Sequence, residues 1–66
     1  MKNFDYKGYF VMFEKQHNGS IRAVADNDND RFGIVYYDYP MNEIVQRVKT
    51  QCTYRIKNNI QEGYSL

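Results

Sequence analysis

The chain has few of the residues that cross-link small proteins. Among its 66 residues there is one cysteine, Cys52, and one histidine, His17. A lone cysteine has no intramolecular partner for a disulfide, and these two residues fall short of a structural zinc site. The sequence therefore predicts no disulfide within the chain, no metal site and no cofactor. A free thiol also favours a reducing, cytoplasmic setting.

Long apolar runs are missing as well. No stretch approaches the roughly 20 apolar residues that cross a bilayer, and residues 1–5 lack the apolar segment of a secretory signal. We therefore expect a soluble protein without membrane contact. Nine Lys plus Arg against eight Asp plus Glu give a net charge of +1, so no overall field attracts a polyanion.

Motifs of common enzyme classes are also absent. The chain has no glycine-rich phosphate loop, no Gly-x-Ser-x-Gly elbow and no His-Glu-x-x-His helix. His17 falls in a predicted turn, and Cys52 falls on the apolar stripe of a predicted helix, where an unreactive thiol is expected. We predict that the protein is not an enzyme and assign no catalytic residue.

Before Pro40 the sequence is aromatic and alternates as strands do. Apolar residues at every second position predict strands at 6–16, 20–25 and 32–38. Asn18-Gly19 predicts a hairpin between the first two strands, because both residues tolerate positive φ. The polar stretch 26–30 predicts a turn before the third strand.

Two registers are open for this hairpin. A two-residue loop would set Lys15 opposite Arg22, whereas a three-residue loop with a bulge sets Glu14 opposite Arg22. Opposite charges in direct cross-strand contact are favourable by a few tenths of a kcal/mol, so we favour the second register. It also puts Ala23 and Ala25 on a face that a helix can approach closely.

After Pro40 the apolar period becomes helical. Pro40 suits the start of a helix, and no Gly or Pro interrupts the chain before Asn58-Asn59, the predicted stop. Residues 53–57 also alternate as a strand would, and that alternative stays open. Apolar residues recur at intervals of three and four, as expected for one helix face: Met41, Ile44, Val45, Val48, Cys52, Ile56 and Ile60.

The combined prediction is an α+β domain of β-β-β-α order. A three-stranded antiparallel sheet carries one C-terminal amphipathic helix on one face, within a single domain at 1–60 followed by a tail at 61–66. A chain of this length buries only about 60% of the surface that its unfolded form exposes. Self-association, most simply as a homodimer, is therefore expected to support it.

The acidic loop partly matches a calcium site. Asp26, Asp28 and Asp30 resemble the opening of an EF-hand loop, but Arg31 and Tyr37 stand where its Gly and bidentate Glu belong. We therefore predict a solvated turn. Weak binding of a cation by the three carboxylates stays open.

One helix can cover only one face of the predicted sheet. Phe10, Met12 and Val24 point away from the helix-covered face and form an apolar surface. Such a patch is typical of an interface, so we predict that these three residues bind a protein partner or a second copy of the chain. The other interpretation is that the C-terminal segment or aliphatic side-chain stems cover them.

Binding of single-stranded nucleic acid, such as RNA, is the alternative function. Sheet tyrosines would stack on bases, and helix cations, chiefly Arg47 and Lys49, would contact phosphates. The helical period spreads these cations around the helix, whereas polyanion binding generally uses one basic face.

Two segments carry a resemblance to a known family. Residues Tyr9 to Glu14 (YFVMFE) and Gly33 to Glu43 (GIVYYDYPMNE) cover about a quarter of the chain. Their layout resembles HicB-like antitoxin domains and small uncharacterised phage or mobile-element proteins. Pro40 stands where HicB-like proteins usually have a Ser or Thr helix cap. The resemblance implies toxin neutralisation through protein contact and assigns no residue a role.

Overall fold

Within residues 2–60 the fold consists of four antiparallel strands and one helix. The computed structural model describes residues 2–60, so the predicted tail at 61–66 lies outside the described residues. The strands pair in chain order, which confirms the α+β class with a C-terminal helix. The elements are β1 (Phe4–Tyr6), β2 (Tyr9–Lys15), β3 (Ile21–Asp26), β4 (Arg31–Tyr36) and α1 (Met41–Lys57).

The prediction of three strands is wrong, because the segment predicted as one strand at 6–16 contains a turn. Lys7 and Gly8 have φ values of 50° and 90°. Two consecutive residues with positive φ form a tight hairpin turn, which pairs β1 with β2 and sets Phe4 opposite Val11. Because lysine seldom adopts positive φ, Lys7 does not signal a turn, and the apolar alternation alone predicts one continuous strand.

The second hairpin has the register that cross-strand charge favours. Glu14 lies opposite Arg22. The Gly19 amide donates to the Gln16 carbonyl at 3.0 Å, and the Gln16 amide donates to the Ser20 carbonyl at 2.8 Å. Gly19 has a φ of 87°, as the bulge after a three-residue loop requires. The predicted register is confirmed, and β3 begins one residue later than predicted.

The last strand ends earlier than predicted. β4 stops at Tyr36, because Asp38 has a φ of 60° and turns the chain away from the sheet. Pro40 opens the helix, as predicted, and its carbonyl accepts hydrogen bonds from the amides of Glu43 and Ile44, both at 3.1 Å.

The helix continues through the ambiguous segment 53–57 and ends at Lys57. Asn59 has a φ of 53°, and its amide donates to the Ile56 carbonyl at 3.1 Å. The Ile60 amide donates to the Arg55 carbonyl at 2.9 Å. These two bonds form a Schellman cap, so the predicted stop at the two asparagines is confirmed.

The core lies between α1 and one face of the sheet. Ala23 and Ala25 are fully buried on the central strand β3, where short side chains allow the helix to approach closely. Ile56, predicted to face the core, is 48% exposed. The buried residues that pack together are Tyr9, Val11, Ala23, Ala25, Phe32, Tyr36, Ile44, Val48 and Cys52.

A buried ion pair joins the helix to the sheet. Asp30 is only 2% exposed. Its carboxylate accepts hydrogen bonds from Arg55 Nε at 2.7 Å, from Arg55 Nη2 at 3.0 Å and from the Tyr9 hydroxyl at 2.6 Å. We call Tyr9, Asp30 and Arg55 the Asp30 bridge. It ties β2, the loop before β4 and the last turns of α1 together.

The prediction of a solvated turn is therefore wrong for Asp30. The Asn27 side-chain oxygen accepts hydrogen bonds from the amides of Asn29 and Asp30, at 2.7 and 2.6 Å. This Asx turn holds the loop while the Asp30 carboxylate meets the guanidinium of Arg55. A buried carboxylate is tolerated only when such charged and neutral donors satisfy it.

Tyr9, in this bridge, and Cys52, close to it, have raised pKa values. Burial, together with the hydrogen bond to Asp30, raises the pKa of Tyr9 from 10.0 to about 12. Burial raises the pKa of the Cys52 thiol from 9.0 to about 11. Both groups stay protonated in the folded protein at pH values where the unfolded chain loses protons.

Replacing Tyr9 with Phe tests the first of these shifts. Between pH 10 and 12 the folded wild type binds more protons than the unfolded chain, so its stability falls as pH rises through this window. The stabilisation is complete below the unfolded pKa. We expect the wild-type unfolding free energy to fall by up to about 1.4 kcal/mol per pH unit for this group, and Tyr9→Phe to lack that slope.

Urea unfolding at a series of alkaline pH values measures both slopes. Cys52→Ala is the control, because it removes the thiol contribution that begins near pH 9 and leaves that of Tyr9. A Tyr9→Phe variant with the wild-type slope between pH 10 and 12 would contradict the assignment.

Candidate functional site

The sheet face opposite α1 is the candidate site, and we call it the outer face. Within residues 2–60, no helix or strand lies on it. The strand registers and the alternation of side chains assign its members. They are Asp5, Phe10, Met12, Glu14, Arg22, Val24, Asp26, Arg31 and Val35.

The outer face carries three accessible apolar side chains. Phe10, Met12 and Val35 are 43%, 36% and 41% exposed. Phe10 and Met12, both predicted to bind a partner, are therefore found on an exposed surface. Val35 was not predicted as a site residue. The signal for it was the alternation of β4, since Ile34 and Tyr36 on either side belong to the helix-covered face.

Val24 differs from the prediction. It lies on the outer face, opposite Met12 on β2 and Gly33 on β4, but it is only 9% exposed. On the central strand it is shielded by neighbouring side chains, and with Met12 and Arg22 it lines a shallow depression. Val24 therefore forms the floor of the surface, and a charged side chain at this position would destabilise the folded protein.

Charges of both signs lie beside these apolar side chains. Glu14 lies opposite Arg22 at one end, and Asp26 lies opposite Arg31 at the other. With Asp5, the face has three carboxylates and two guanidiniums. Glu14 accepts a hydrogen bond from Gln16 Nε2 at 3.0 Å. The mixed signs are unlike the basic surface that a polyanion requires.

The structure does not bring the two nucleic-acid candidates together. Arg47 pairs with Glu43 at 3.1 Å and lies beside the Tyr36 flank of the helix. Lys49 lies beside the opposite flank, 5.4 Å from the centroid of the Tyr6 ring. Of the sheet tyrosines, Tyr9 and Tyr36 are buried and present no ring face to a base.

The acidic loop forms no cation site in the described part of the chain. The Asp30 carboxylate forms an ion pair with Arg55, while Asp28 is exposed to solvent. Residues 2–60 contain no group of three or more His, Cys, Asp or Glu side chains that could hold a metal ion. The weak cation site left open by the sequence is therefore not formed by these three aspartates.

The two candidate reactive side chains lie in unrelated places. His17 is exposed at the tip of the second hairpin, and Cys52 is fully buried on the side of α1 that faces the sheet. The raised pKa of the Cys52 thiol keeps it protonated near neutral pH, as expected for a packing residue.

Among residues 2–60, no helix has the length and apolar character needed to cross a membrane. Comparison with protein-family models, with curated proteins and with solved structures finds no match to this chain. The case for a function consequently depends on the outer face and on the chemistry of its residues.

Proposed function

We propose that the protein is a small non-enzymatic regulatory domain that binds a protein through the outer face. The observation that carries the proposal is the exposure of three large apolar side chains, Phe10, Met12 and Val35, on the side of the sheet that the helix leaves bare. A toxin is one class of partner that the resemblance to HicB-like antitoxin domains implies. Because a lone free thiol suits a reducing compartment, the cytoplasm is the proposed setting.

The energetics suit a binding surface. Fully burying a side chain such as Met, Val or Phe contributes about 1.5–3 kcal/mol. These three side chains are roughly 40% exposed, so covering the remainder would contribute about 2–3 kcal/mol in total. A partner therefore gains a modest apolar contribution here, and shape and charge must supply the rest.

The composition also suits an interface. Protein interfaces concentrate aromatic residues, methionine and arginine, and surround an apolar centre with a polar rim. The outer face has Met12 in its middle row, Phe10 beside Asp26 at one end and Arg22 beside Val35 at the other. The neighbouring edge strand β4 has its second side unpaired in the described sheet, which offers main-chain groups to the same partner.

Replacing Met12 with Lys tests the proposal. A charge at the centre of the outer face would have to be desolvated on binding, so we expect Met12→Lys to lose its partner while the isolated chain stays folded. Gel filtration of extract from the native host measures this. The wild-type chain should elute in an assembly larger than its own 7.9 kDa, and the variant should not.

Tyr54→Lys is the matched control. Tyr54 is also a large exposed side chain, 54% accessible, but it lies on the helix and away from the outer face. This variant adds the same charge and should elute with the wild type. Retention of Met12→Lys in the assembly, with circular dichroism showing a folded chain, would rule out the outer face as the binding surface.

Single-stranded nucleic acid is a second candidate, favoured by one observation. Lys7 and Lys49 both lie near the Tyr6 ring, at 5.6 and 5.4 Å from its centroid, and Lys49 is also 5.5 Å from the Phe4 ring. Two cations beside two aromatic rings offer phosphate contacts next to stacking surfaces.

The salt dependence of binding tests this second function. If Lys49 contacts a phosphate, binding of single-stranded RNA weakens as salt rises, and Lys49→Ala lowers the slope of log K against log salt by about 0.7. Fluorescence anisotropy with a labelled oligonucleotide measures both slopes. Arg47→Ala is the comparison on the other flank of the helix. A wild-type affinity that does not change with salt would remove the nucleic-acid function.

A further inference from the structure

We infer that the outer face binds a second copy of this chain across a twofold axis, with Arg22 of each copy against Asp26 of the other. This inference rests on the proposed function, because it names the occupant of the same surface. It follows from the order of charges along the central strand.

The outward side chains of β3 are Arg22, Val24 and Asp26, in that order. Each lies two residues from the next, so the two charges are separated by about 13 Å with the apolar residue midway. Consider two outer faces packed together about a twofold axis that lies between the two sheets, runs perpendicular to the strands and passes Val24. Each β3 then lies over the β3 of the other copy and runs antiparallel to it. Arg22 then lies over the partner's Asp26 at both ends, because a twofold interface repeats every contact.

The centre of such an interface is apolar. The same axis sets Met12 over Met12 and Val24 over Val24 of the second copy, because all four lie in the row that the axis follows. Gly33 continues this row on β4 without a side chain. Two sheets that pack face to face therefore bury the middle row of Met12 and Val24 together. The two flanking rows, in which Phe10 lies opposite Asp26 and Val35 opposite Arg22, meet each other across the interface.

A second orientation would give Arg22 a different carboxylate. With the axis parallel to the strands, β2 lies over β3 of the other copy, and Arg22 meets Glu14 instead. Glu14 already accepts a hydrogen bond from Gln16, whereas Asp26 makes no side-chain hydrogen bond or ion pair within the described residues. The Asp26 carboxylate can therefore accept Arg22 of the second copy without losing another contact, which favours the first orientation.

The nearly balanced charge of the outer face favours a second copy over a partner of one sign. Three carboxylates and two guanidiniums offer charges of both signs to a second copy, whereas a strongly acidic partner would be repelled at the three carboxylates and a strongly basic one at the two guanidiniums. The area of the outer face predicts the affinity of the dimer. Strands about 20 Å long and 4.8 Å apart give a footprint of roughly 300–400 Å², below the 800 Å² per partner of a standard interface. The dimer therefore dissociates on dilution.

Charge reversal tests the pairing. Arg22→Asp sets Asp against Asp26, and Asp26→Arg sets Arg against Arg22, so each variant alone should dimerise at least about tenfold more weakly than the wild type. An equimolar mixture of the two variants restores opposite charges at both ends. Sedimentation velocity over a range of concentrations should therefore show heterodimers in the mixture with a dissociation constant near that of the wild type.

Arg22→Asp mixed with Glu14→Arg is the comparison. Rescue by Glu14→Arg in place of Asp26→Arg would overturn the proposed pairing in favour of the second orientation. Single variants that dimerise as well as the wild type would overturn it too, because the contact would then lie elsewhere.

The failure of this inference is distinct from that of the proposed function. A purified wild-type chain that stays monomeric at every concentration overturns the second-copy inference. If the same chain still elutes in a Met12-dependent assembly from host extract, the protein-binding function stands with a foreign partner.

Discussion

The fold depends on one buried carboxylate. Asp30 is held by Arg55 from the helix and by Tyr9 from the sheet, and the three side chains join segments far apart in the chain. Breaking a buried ion pair leaves an uncompensated charge, which is strongly unfavourable. The helix C-terminus is thereby fixed over one end of the sheet, on the same face as the two alanines that let its middle approach.

The exposed outer face is the consequence of that placement. In the described part of the chain, a single helix of 17 residues covers one side of four strands, and the apolar stripe of that helix is buried in the core. The other side retains the exposed side chains of Phe10, Met12 and Val35. The oppositely charged Arg22 and Asp26 lie on the same strand at its two ends. The proposals for a protein partner and for a second copy both follow from this one-sided coverage.

Local signals were sufficient for much of this architecture. The Asn18-Gly19 hairpin, its charge-favoured register and the helix from Met41 to Lys57 each follow from residues close together in sequence. The extra strand β1 was missed because the turn uses Lys7 at positive φ, a conformation that lysine disfavours. The position of Phe10 and Met12 on the open face was predictable because strand alternation is strict.

The sequence by itself determined the C-terminal helix, the register of the hairpin between β2 and β3 and the alternation that separates the two faces of the sheet, because these depend on neighbouring residues. Tertiary structure alone decided that Asp30 is buried, that Arg55 turns towards the sheet while Ile56 is exposed, and that Val24 is covered. Burial is a property of what packs around a side chain. For Asp30 the decisive neighbour, Arg55, lies 25 residues away in the chain, beyond the reach of any local pattern.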